Sequence, residues 1–346
     1  MSASVARHRI RVFLVCGALS VLGSGAAHGQ SKTGTTFGAF LLIEPSARIA
    51  GMGNVGSTIG DGLQAVYYNP GAAGQLDRRA VTFSHGEWIA DIDFNFAAFA
   101  FPIGGRSALH GSVTTLRSGD IAVRTVAQPL GTGELYQVND IAVGVGYGYR
   151  VSPRFSAGAQ VSFLQETIWH SSANTIVLNL GTLYQVSADG LRIGASISNL
   201  GTDARFGGQD LRITFDEDPD RFGDNGTLPA EQFTDAFPVP VLFRVGLGMP
   251  QRLSKDARVF WAVDAYHPSD NSESVSLGGE FEYRDLLALR AGYQNLFQTD
   301  SEVGLTLGAG LSGRLYSEGI GYGIDYAWAE HGRLSDTHRV TLSVDF

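Results

Sequence analysis

The sequence of 346 residues contains a single cysteine, Cys16, which lies in an apolar run near the amino terminus. If that run is removed on export, the remaining chain has no cysteine, which excludes disulfides and cysteine-based metal or redox sites. No later segment has the ~20 consecutive apolar residues of a membrane-spanning helix. A membrane protein with this sequence must therefore cross the bilayer as a closed β-barrel, the other fold that satisfies every backbone group in lipid.

The sequence also lacks common catalytic motifs and the charge of a nucleic-acid-binding protein. Neither H-E-x-x-H nor G-x-S-x-G occurs, and the histidines are scattered, at positions that include His85, His110, His170, His267, His331 and His338. The formal charge of −9 becomes −12 when Arg7, Arg9 and Arg11 are removed. We expect no catalytic residues, no metal, no other cofactor and no nucleic acid as a partner.

The first 29 residues have the pattern of a secretory signal peptide. Three arginines precede an apolar run from Val12 to about Ala27, and 27–29 is typical of a cleavage site before Gln30. A membrane anchor is the alternative, but the run is shorter than the ~20 residues that a span needs. We therefore predict that 1–29 is a signal peptide.

Most of the chain after residue 78 alternates with the period of two that is typical of β-strands. The clearest segments are 141–149, 155–163 and 320–328. At the carboxyl end, one face is apolar and carries Val340, Leu342, Val344 and Phe346. Segments of ~10 residues match a tilted bilayer crossing, whereas strands of a soluble sandwich are about half that length.

These segments number about fourteen and predict an all-β fold, a transmembrane antiparallel β-barrel over 79–346. Their expected bounds are 80–89, 92–102, 107–117, 139–150, 154–168, 173–186, 190–200, 239–249, 257–267, 274–284, 286–294, 303–313, 318–328 and 338–346. The two longest connections, 118–138 and 201–238, both follow odd-numbered segments, which predicts long external loops and short periplasmic turns. Trp88, Trp169 and Trp328 fall at external ends, where an aromatic girdle is expected.

The parity of the alternation places a set of charged residues on the inward face. These lumen-facing charges are Arg192, Arg244, Asp264, Glu280, Glu282, Arg290 and Asp325. On the lipid face near the midplane each would cost about 2–4 kcal/mol. Two interpretations stay open, a lumenal path or plug-holding network and simple ion pairing in a wet barrel. The inward glycines Gly144, Gly146 and Gly148 would let a plug approach the wall closely.

The loop 201–238 is acidic and also carries phenylalanines. Asp216, Asp218 and Asp220, with Phe222 beside them, form a candidate external contact loop. A Ca²⁺ site is an alternative, because spaced carboxylates are hard oxygen ligands, but Arg221 and Thr227 break the EF-hand spacing. A solvated surface loop is the third interpretation.

The residues before the first strand carry a set of short motifs, Ala47-Arg48-Ile49-Ala50-Gly51-Met52-Gly53, Gly60-Asp61 and Tyr67-Tyr68-Asn69-Pro70-Gly71. Residues 51–56 also match the dinucleotide fingerprint G-x-G-x-x-G, but no βαβ unit surrounds them. Later matches include Ser198-Asn199-Leu200-Gly201 and Leu289-Arg290-Ala291-Gly292-Tyr293. Together the motifs resemble PorV/PorQ-type outer-membrane proteins, relatives of FadL-type channels, although Gly71 stands where that family usually has Ala.

The resemblance implies a barrel of the bacterial outer membrane in which residues 30–78 fold inside the lumen as a hatch or plug. The hatch motif residues would be Arg48, Gly51, Met52, Gly53, Asn69 and Pro70. The implied role is type IX protein secretion, as a cargo shuttle or in surface attachment, with outer-membrane lipid, cargo C-terminal domains and other secretion components as partners. A FadL-like channel for a hydrophobic ligand is the alternative, and a purely structural barrel is the third.

Overall fold

The computed structural model describes residues 33–346 apart from 188–189, 219, 221–222, 224–226, 300 and 316–318. The predicted signal peptide, residues 1–29, and Phe222 therefore lie outside the described residues. None of the helices in the described part is long and apolar enough to cross a membrane.

Fourteen antiparallel strands form one closed sheet. They are β1 (Ala80–Trp88), β2 (Ile92–Ile103), β3 (Ser107–Arg117), β4 (Val138–Ser152), β5 (Phe155–Ile168), β6 (Ser171–Gln185), β7 (Arg192–Gly201), β8 (Leu242–Arg252), β9 (Ala257–Pro268), β10 (Ser274–Tyr283), β11 (Leu287–Leu296), β12 (Leu305–Leu315), β13 (Ile320–Ala329) and β14 (Thr337–Asp345). Each strand pairs with the next along the chain, and β14 closes the barrel on β1, with Ala80 opposite Asp345. The predicted barrel is confirmed.

The two faces of the sheet differ in the way that the alternation predicts. In β14, the apolar side chains of Val340, Leu342 and Val344 are exposed, whereas Thr341 between them is fully buried. In β4, Val143 and its outward neighbours are exposed in the same way. In a soluble barrel the outer face is polar and the inner face is apolar. The opposite arrangement found here is typical of a barrel wall in contact with lipid.

The long connections 118–137 and 202–241 lie at one end of the barrel, which we call the external end. Each contains short two-stranded ribbons, which are Ile121–Ala122 with Leu135–Tyr136, Ala204–Arg205 with Ala236–Phe237, and Arg212–Phe215 with Leu228–Glu231. Gly207–Gly208 pairs with the start of β6. Trp88, Trp169 and Trp328 lie at or next to strand ends on this side.

The residues before β1, 33–79, form a segment of short helices that we call the N-terminal segment. It contains α1 (Ala47–Ala50) and α2 (Ala65–Tyr68), with 3-10 turns at Ala39–Leu42 and Pro70–Gln75; two further 3-10 turns, Ile89–Asp91 and Gln209–Leu211, lie in barrel connections. The Ser46 hydroxyl accepts a hydrogen bond from Ile49 N and so caps α1. Asn69 caps the turn that begins at Pro70 by accepting from Gly71 N.

The buried apolar core lies between the N-terminal segment and the inner face of the wall. The segment contributes side chains that include Phe37, Phe40, Ile49, Met52, Val55, Ile59 and Val66, and the wall contributes Phe94, Phe96, Leu164 and Val177. Burial of these side chains gives the segment its hydrophobic stabilisation, at about 1.5–3 kcal/mol for each large one.

Candidate functional site

Hydrogen bonds join the N-terminal segment to inward-facing side chains around much of the barrel. Ser57 donates from its backbone N to Asp264 Oδ2 at 2.9 Å and from its hydroxyl to Asp264 Oδ1 at 2.7 Å. Gly53 N donates to Thr306 Oγ1 at 2.9 Å. Further bonds of this kind join Ala47 to Thr341, Asn54 to Tyr266, Tyr68 to Ser196, Asn69 to Thr182 and Gly74 to Arg150. The segment is therefore bonded to strands from β4 to β14.

Glycines let the backbone of the segment lie directly against the backbone of the wall. A methyl group added to Gly51 would lie 2.9 Å from the Cα of Gly308. One added to Gly53 would lie 2.7 Å from the Leu277 carbonyl oxygen, and Gly53 also has a φ of 69°. Between the two glycines Met52 is fully buried. The G-x-G pattern here thus serves close packing.

The three wall glycines that the sequence singled out have different neighbours. Gly148 faces Ala73 and Gly74 of the N-terminal segment. The nearest side chains to Gly144 and Gly146 are instead those of Gln160 and His110 in the wall. The expected close approach of a plug is therefore found at Gly148 and not at the other two.

A chain of ion pairs fixes α1 to three strands. Arg48 Nη2 lies 2.7 Å from Glu280 Oε1, and the other oxygen of Glu280 lies 2.6 Å from Arg290 Nε. Arg290 Nη1 continues to Asp325 Oδ1 at 2.8 Å, and Arg48 Nη1 also reaches Asp61 at 3.0 Å. Glu280 and Arg290 are buried. Loss of Arg290 would leave Asp325 without its ion-pair partner, whereas loss of Glu280 would leave Arg48 paired with Asp61 and Arg290 paired with Asp325.

A second ion pair lies deeper and joins Glu44 of the segment to Arg244 of β8. Arg244 Nη2 donates to Glu44 Oε1 at 2.8 Å, and Nη1 donates to Ser198 Oγ at 3.3 Å. The guanidinium carbon lies 5.9 Å and 5.8 Å from the ring centroids of Tyr68 and Tyr266. Burial raises the pKa of the Glu44 carboxyl to about 7, although Arg244 acts to lower it.

The structure brings six of the seven sequence-derived lumenal charges into contact with the N-terminal segment or with each other. Five of them are buried, namely Arg244, Asp264, Glu280, Arg290 and Asp325. The sixth, Arg192, is half-buried and its Nη1 lies 3.9 Å from Asp61, whereas half-buried Glu282 pairs with Arg258 at 2.8 Å. Asn69 and Pro70 are buried against the wall.

Sequence reasoning missed several buried charged residues, among them Glu44 and Arg339. Arg339 shares the inward parity of Thr341 two residues later, so the alternation of β14 could have revealed it. Glu44 lies in a part of the chain with no regular period, and no sequence signal marks its environment.

An apolar cleft of about 820 Å³ opens at the external end, and we call it the external cleft. Its lining includes the side chains of Tyr136, Ile168, Trp169, Phe206 and Phe237. The ring of Phe206 contacts Phe37 of the N-terminal segment with centroids 6.3 Å apart and Phe237 with centroids 6.4 Å apart. The cleft and the start of the N-terminal segment are therefore in direct contact.

Several apolar side chains of the external loops are almost fully exposed. Val126 and Leu130 in the first long loop and Phe233 in the second are 104%, 96% and 83% exposed. These residues lie beyond the strand ends, where lipid does not explain their exposure, and they are available for contact with another molecule.

The acidic part of the second loop lies beyond the ribbon 212–215. Asp216 is half-buried and accepts a hydrogen bond from Asp218 N at 3.1 Å, and both Asp218 and Asp220 are exposed. Within the described ranges, no group of three or more His, Cys, Asp or Glu side chains is placed to hold a metal ion.

Comparison with known proteins identifies relatives in both sequence and fold. A family model described as "Type IX secretion system protein PorV" matches residues 26–209, more than half of the chain. No curated protein matches the sequence significantly.

Solved structures with the same fold cover nearly the whole chain. The toluene transporter TodX of P. putida is 11% identical, with a TM-score of 0.53 over 86% of this chain and 96% of that one. A FadL homologue of Pseudomonas aeruginosa is 11% identical, with a TM-score of 0.51 over 87% and 98%. The CymD monoaromatic hydrocarbon channel is 15% identical, with a TM-score of 0.55 over 88% and 97%. At these identities the likeness establishes the fold.

Proposed function

The chain belongs to the PorV family of type IX secretion system proteins, and from this premise we propose that it serves type IX protein secretion, as a cargo shuttle or in surface attachment. It is a β-barrel protein of the bacterial outer membrane. The observation that best supports the proposal is the external cleft, an apolar cavity of about 820 Å³ that lies beyond the lipid-facing wall.

The external cleft has the properties of a protein-binding surface. Aromatic rings line it, and aromatic side chains supply most of the binding energy at many interfaces. Exposed Val126, Leu130 and Phe233 on the flanking loops would extend the contact beyond the cleft itself. We propose that the C-terminal domain of a secreted cargo protein binds here, with other secretion components as neighbours in the membrane.

The bonds between the N-terminal segment and the wall favour a binding role for the protein and argue against a permanently open channel. Its bonds to strands from β4 to β14 and its buried ion pairs hold it across the lumen. We propose that residues 30–78 act as a hatch that keeps the barrel closed while cargo is bound outside, and that the chain has no catalytic role.

A hydrophobic channel is the second candidate function. The solved structures of similar fold include a toluene transporter and a monoaromatic hydrocarbon channel. In this role the N-terminal segment would have to move for each passage, against the ion pairs that Arg48 and Glu44 make with the wall. The channel role predicts slower uptake of a hydrocarbon such as toluene in a deletion strain with unchanged secretion.

The proposal is tested by charge substitutions on the exposed loops. Phe233→Asp combined with Leu130→Asp should weaken the capture of a purified cargo C-terminal domain at least tenfold, because two exposed apolar contact side chains are replaced by charges. Phe297→Asp, which changes an equally exposed residue on the loop after β11, is the matched control. Equal capture by the double variant and the wild type would contradict the proposed binding surface.

A further inference from the structure

The external end of the barrel is strongly acidic, whereas the opposite end is neutral. The seven connections at the external end carry eighteen Asp or Glu and five Arg in the sequence, which is a formal charge of −13. These connections are 89–91, 118–137, 169–170, 202–241, 269–273, 297–304 and 330–336. The six short turns at the other end carry four acidic and four basic residues. A negative field confined to one end of the protein attracts cationic partners to that end.

One corner of the external cleft combines aromatic rings with an acidic side chain. The ring centroids of Tyr136 and Trp169 lie 6.1 Å apart, with their planes at 40°. Trp169 also stacks on the His170 ring with centroids 4.5 Å apart, and Nδ1 of that ring lies 3.0 Å from Asp210 Oδ1. Tyr136, Trp169 and Asp210 all line the cleft. We call these three residues the aromatic-acid corner.

The carboxylate of Asp210 is not neutralised by an arginine or lysine anywhere in the described part of the chain. It contacts the backbone N and the ring of His170 and the hydroxyl of Ser171. These contacts hold it next to the ring on which Trp169 stacks, and the residue stays exposed. Asp235, also in the lining, is exposed and forms no ion pair with a described residue. Two anionic groups in the cleft are therefore open to a ligand.

Arg124 is the one basic side chain among the described residues that line the cleft. It is exposed and has no ion-pair partner within the described ranges. A cationic ligand is attracted by Asp210 and Asp235 and repelled by Arg124, whereas an anionic ligand experiences the reverse. The sign of the ligand charge can therefore be determined by changing these residues singly.

We propose that the aromatic-acid corner binds a cationic side chain, arginine or lysine, of the protein that docks in the external cleft. The cation lies against Tyr136 and Trp169, within the ~6 Å of a ring centroid over which cation–π attraction acts, and Asp210 supplies the counter-charge. Apolar side chains beside it contact Phe206 and Phe237, so the partner presents a surface that is both basic and apolar. This inference rests on the proposed cargo-binding role and specifies the chemistry of the cargo surface.

Calorimetric titration of the full-length protein in maltoside micelles tests the proposal with three tripeptides in place of cargo. They are acetyl-Arg-Phe-Arg-amide, its citrulline analogue, which has nearly the same shape without the charge, and acetyl-Glu-Phe-Glu-amide. The arginine peptide should bind about tenfold more tightly than the citrulline peptide, because it gains both cation–π and ion-pair attraction. The glutamate peptide should not bind. Heats of injection into empty micelles are subtracted.

Substitutions of opposite charge should change the affinity for the arginine peptide in opposite directions. Asp210→Asn keeps an acceptor oxygen for His170 and should weaken binding about threefold, whereas Arg124→Gln should strengthen it about twofold. Glu273→Gln removes the same charge from another external loop, where Glu273 pairs with His267, and is the control for long-range attraction. A gain of affinity in Arg124→Gln cannot result from misfolding, so the test holds even if Asp210→Asn is less stable.

Equal binding of the arginine and citrulline peptides would overturn the proposal. Tighter binding of the glutamate peptide, with both substitution effects reversed, would also overturn it and would indicate an acidic partner. If the Phe233→Asp and Leu130→Asp double variant loses cargo capture while the arginine and citrulline peptides bind equally, the cargo surface stands and the cationic ligand is wrong. If the arginine peptide binds as expected while cargo capture is unchanged in the double variant, the cation site stands and the cargo surface is wrong.

Discussion

At the scale of single residues, the buried carboxylate of Glu280 is the junction between the N-terminal segment and the wall. It is 4% exposed and contacts both Arg48 and Arg290. Removing one partner from a buried network costs more than the pair itself contributes, because the remaining charges stay desolvated.

We expect Glu280→Ala to lower the free energy of unfolding by about 2–3 kcal/mol, because it removes charge-assisted hydrogen bonds from Arg48 and Arg290 while each arginine keeps another carboxylate partner. Urea-induced unfolding in phospholipid vesicles, followed by tryptophan fluorescence, measures this change. Glu282→Ala is the control on the same strand, because Glu282 pairs with half-exposed Arg258 and should cost no more than about 1 kcal/mol. If Glu280→Ala and Glu282→Ala lose the same free energy of unfolding, Glu280 contributes no more to stability than the more exposed Glu282.

A pH dependence is expected from Glu44. Its pKa in the folded protein is about 7, against an ordinary value of 4.5, because burial disfavours the charged form. The folded state therefore binds the proton more tightly than the unfolded state, so stability is full below about pH 4.5 and falls as the pH rises through 7. The loss reaches about 3 kcal/mol.

The comparison with Glu44→Gln isolates this effect from other titrating groups, since Arg244, Asp264 and Arg339 around it are unchanged. Gln does not ionise, so the variant does not share this pH-dependent loss. Its free energy of unfolding should therefore rise relative to that of the wild type between about pH 5 and pH 8. A constant difference over this range would mean that Glu44 keeps an ordinary pKa in the folded protein.

At the scale of strands, the outward face of β14 determines how the barrel meets the bilayer. Leu342 is 47% exposed on this face and lies near the middle of the strand. A cation at such a position must be desolvated in the hydrocarbon region.

We expect Leu342→Arg to lower the free energy of unfolding in phospholipid vesicles by about 2–4 kcal/mol. The same substitution measured in detergent micelles should cost less, because water reaches the strand more readily. His338→Arg, at the exposed external end of β14, is the control; it loses the hydrogen bond between the His338 ring and the Tyr326 hydroxyl and should cost no more than about 1 kcal/mol. If both substitutions cost the same in vesicles, β14 does not face lipid in the way that the alternation indicates.

The strands were predictable from the sequence because lipid and lumen impose opposite demands on alternate residues. The largest error in a predicted strand position is at β8, which was expected at 239–249 and is found at Leu242–Arg252. Its start was misplaced because Pro238, Val239 and Pro240 continue the apolar pattern into the loop. Proline at these positions lacks the N–H that a ladder requires.

The contacts of the N-terminal segment were less predictable. Parity assigns Glu280 and Arg290 to the lumen, but only the register, which places the two directly opposite each other, reveals that they pair. Glu44 has no periodic neighbours, and its pairing with Arg244 depends on the path of a segment without regular structure. The external cleft likewise joins Tyr136 and Phe237 from loops about a hundred residues apart, a distance over which local patterns carry no information.

At the scale of the whole molecule, the protein has three regions with different surroundings. A lipid-facing wall anchors the protein, the N-terminal segment crosses the lumen, and the external cleft offers an apolar surface outside. In the proposed cargo-binding role the N-terminal segment stays in place, whereas in the channel role it has to move to open the lumen.

The most direct test of the secretion role is a deletion strain whose secreted, surface-attached and periplasmic proteins are compared with the wild type by quantitative mass spectrometry. If the protein serves secretion, proteins sharing a C-terminal sorting domain should disappear from the surface and accumulate in the periplasm, and the wild-type gene should restore them. An unchanged set of surface proteins, together with slower toluene uptake, would contradict the secretion role and favour the channel.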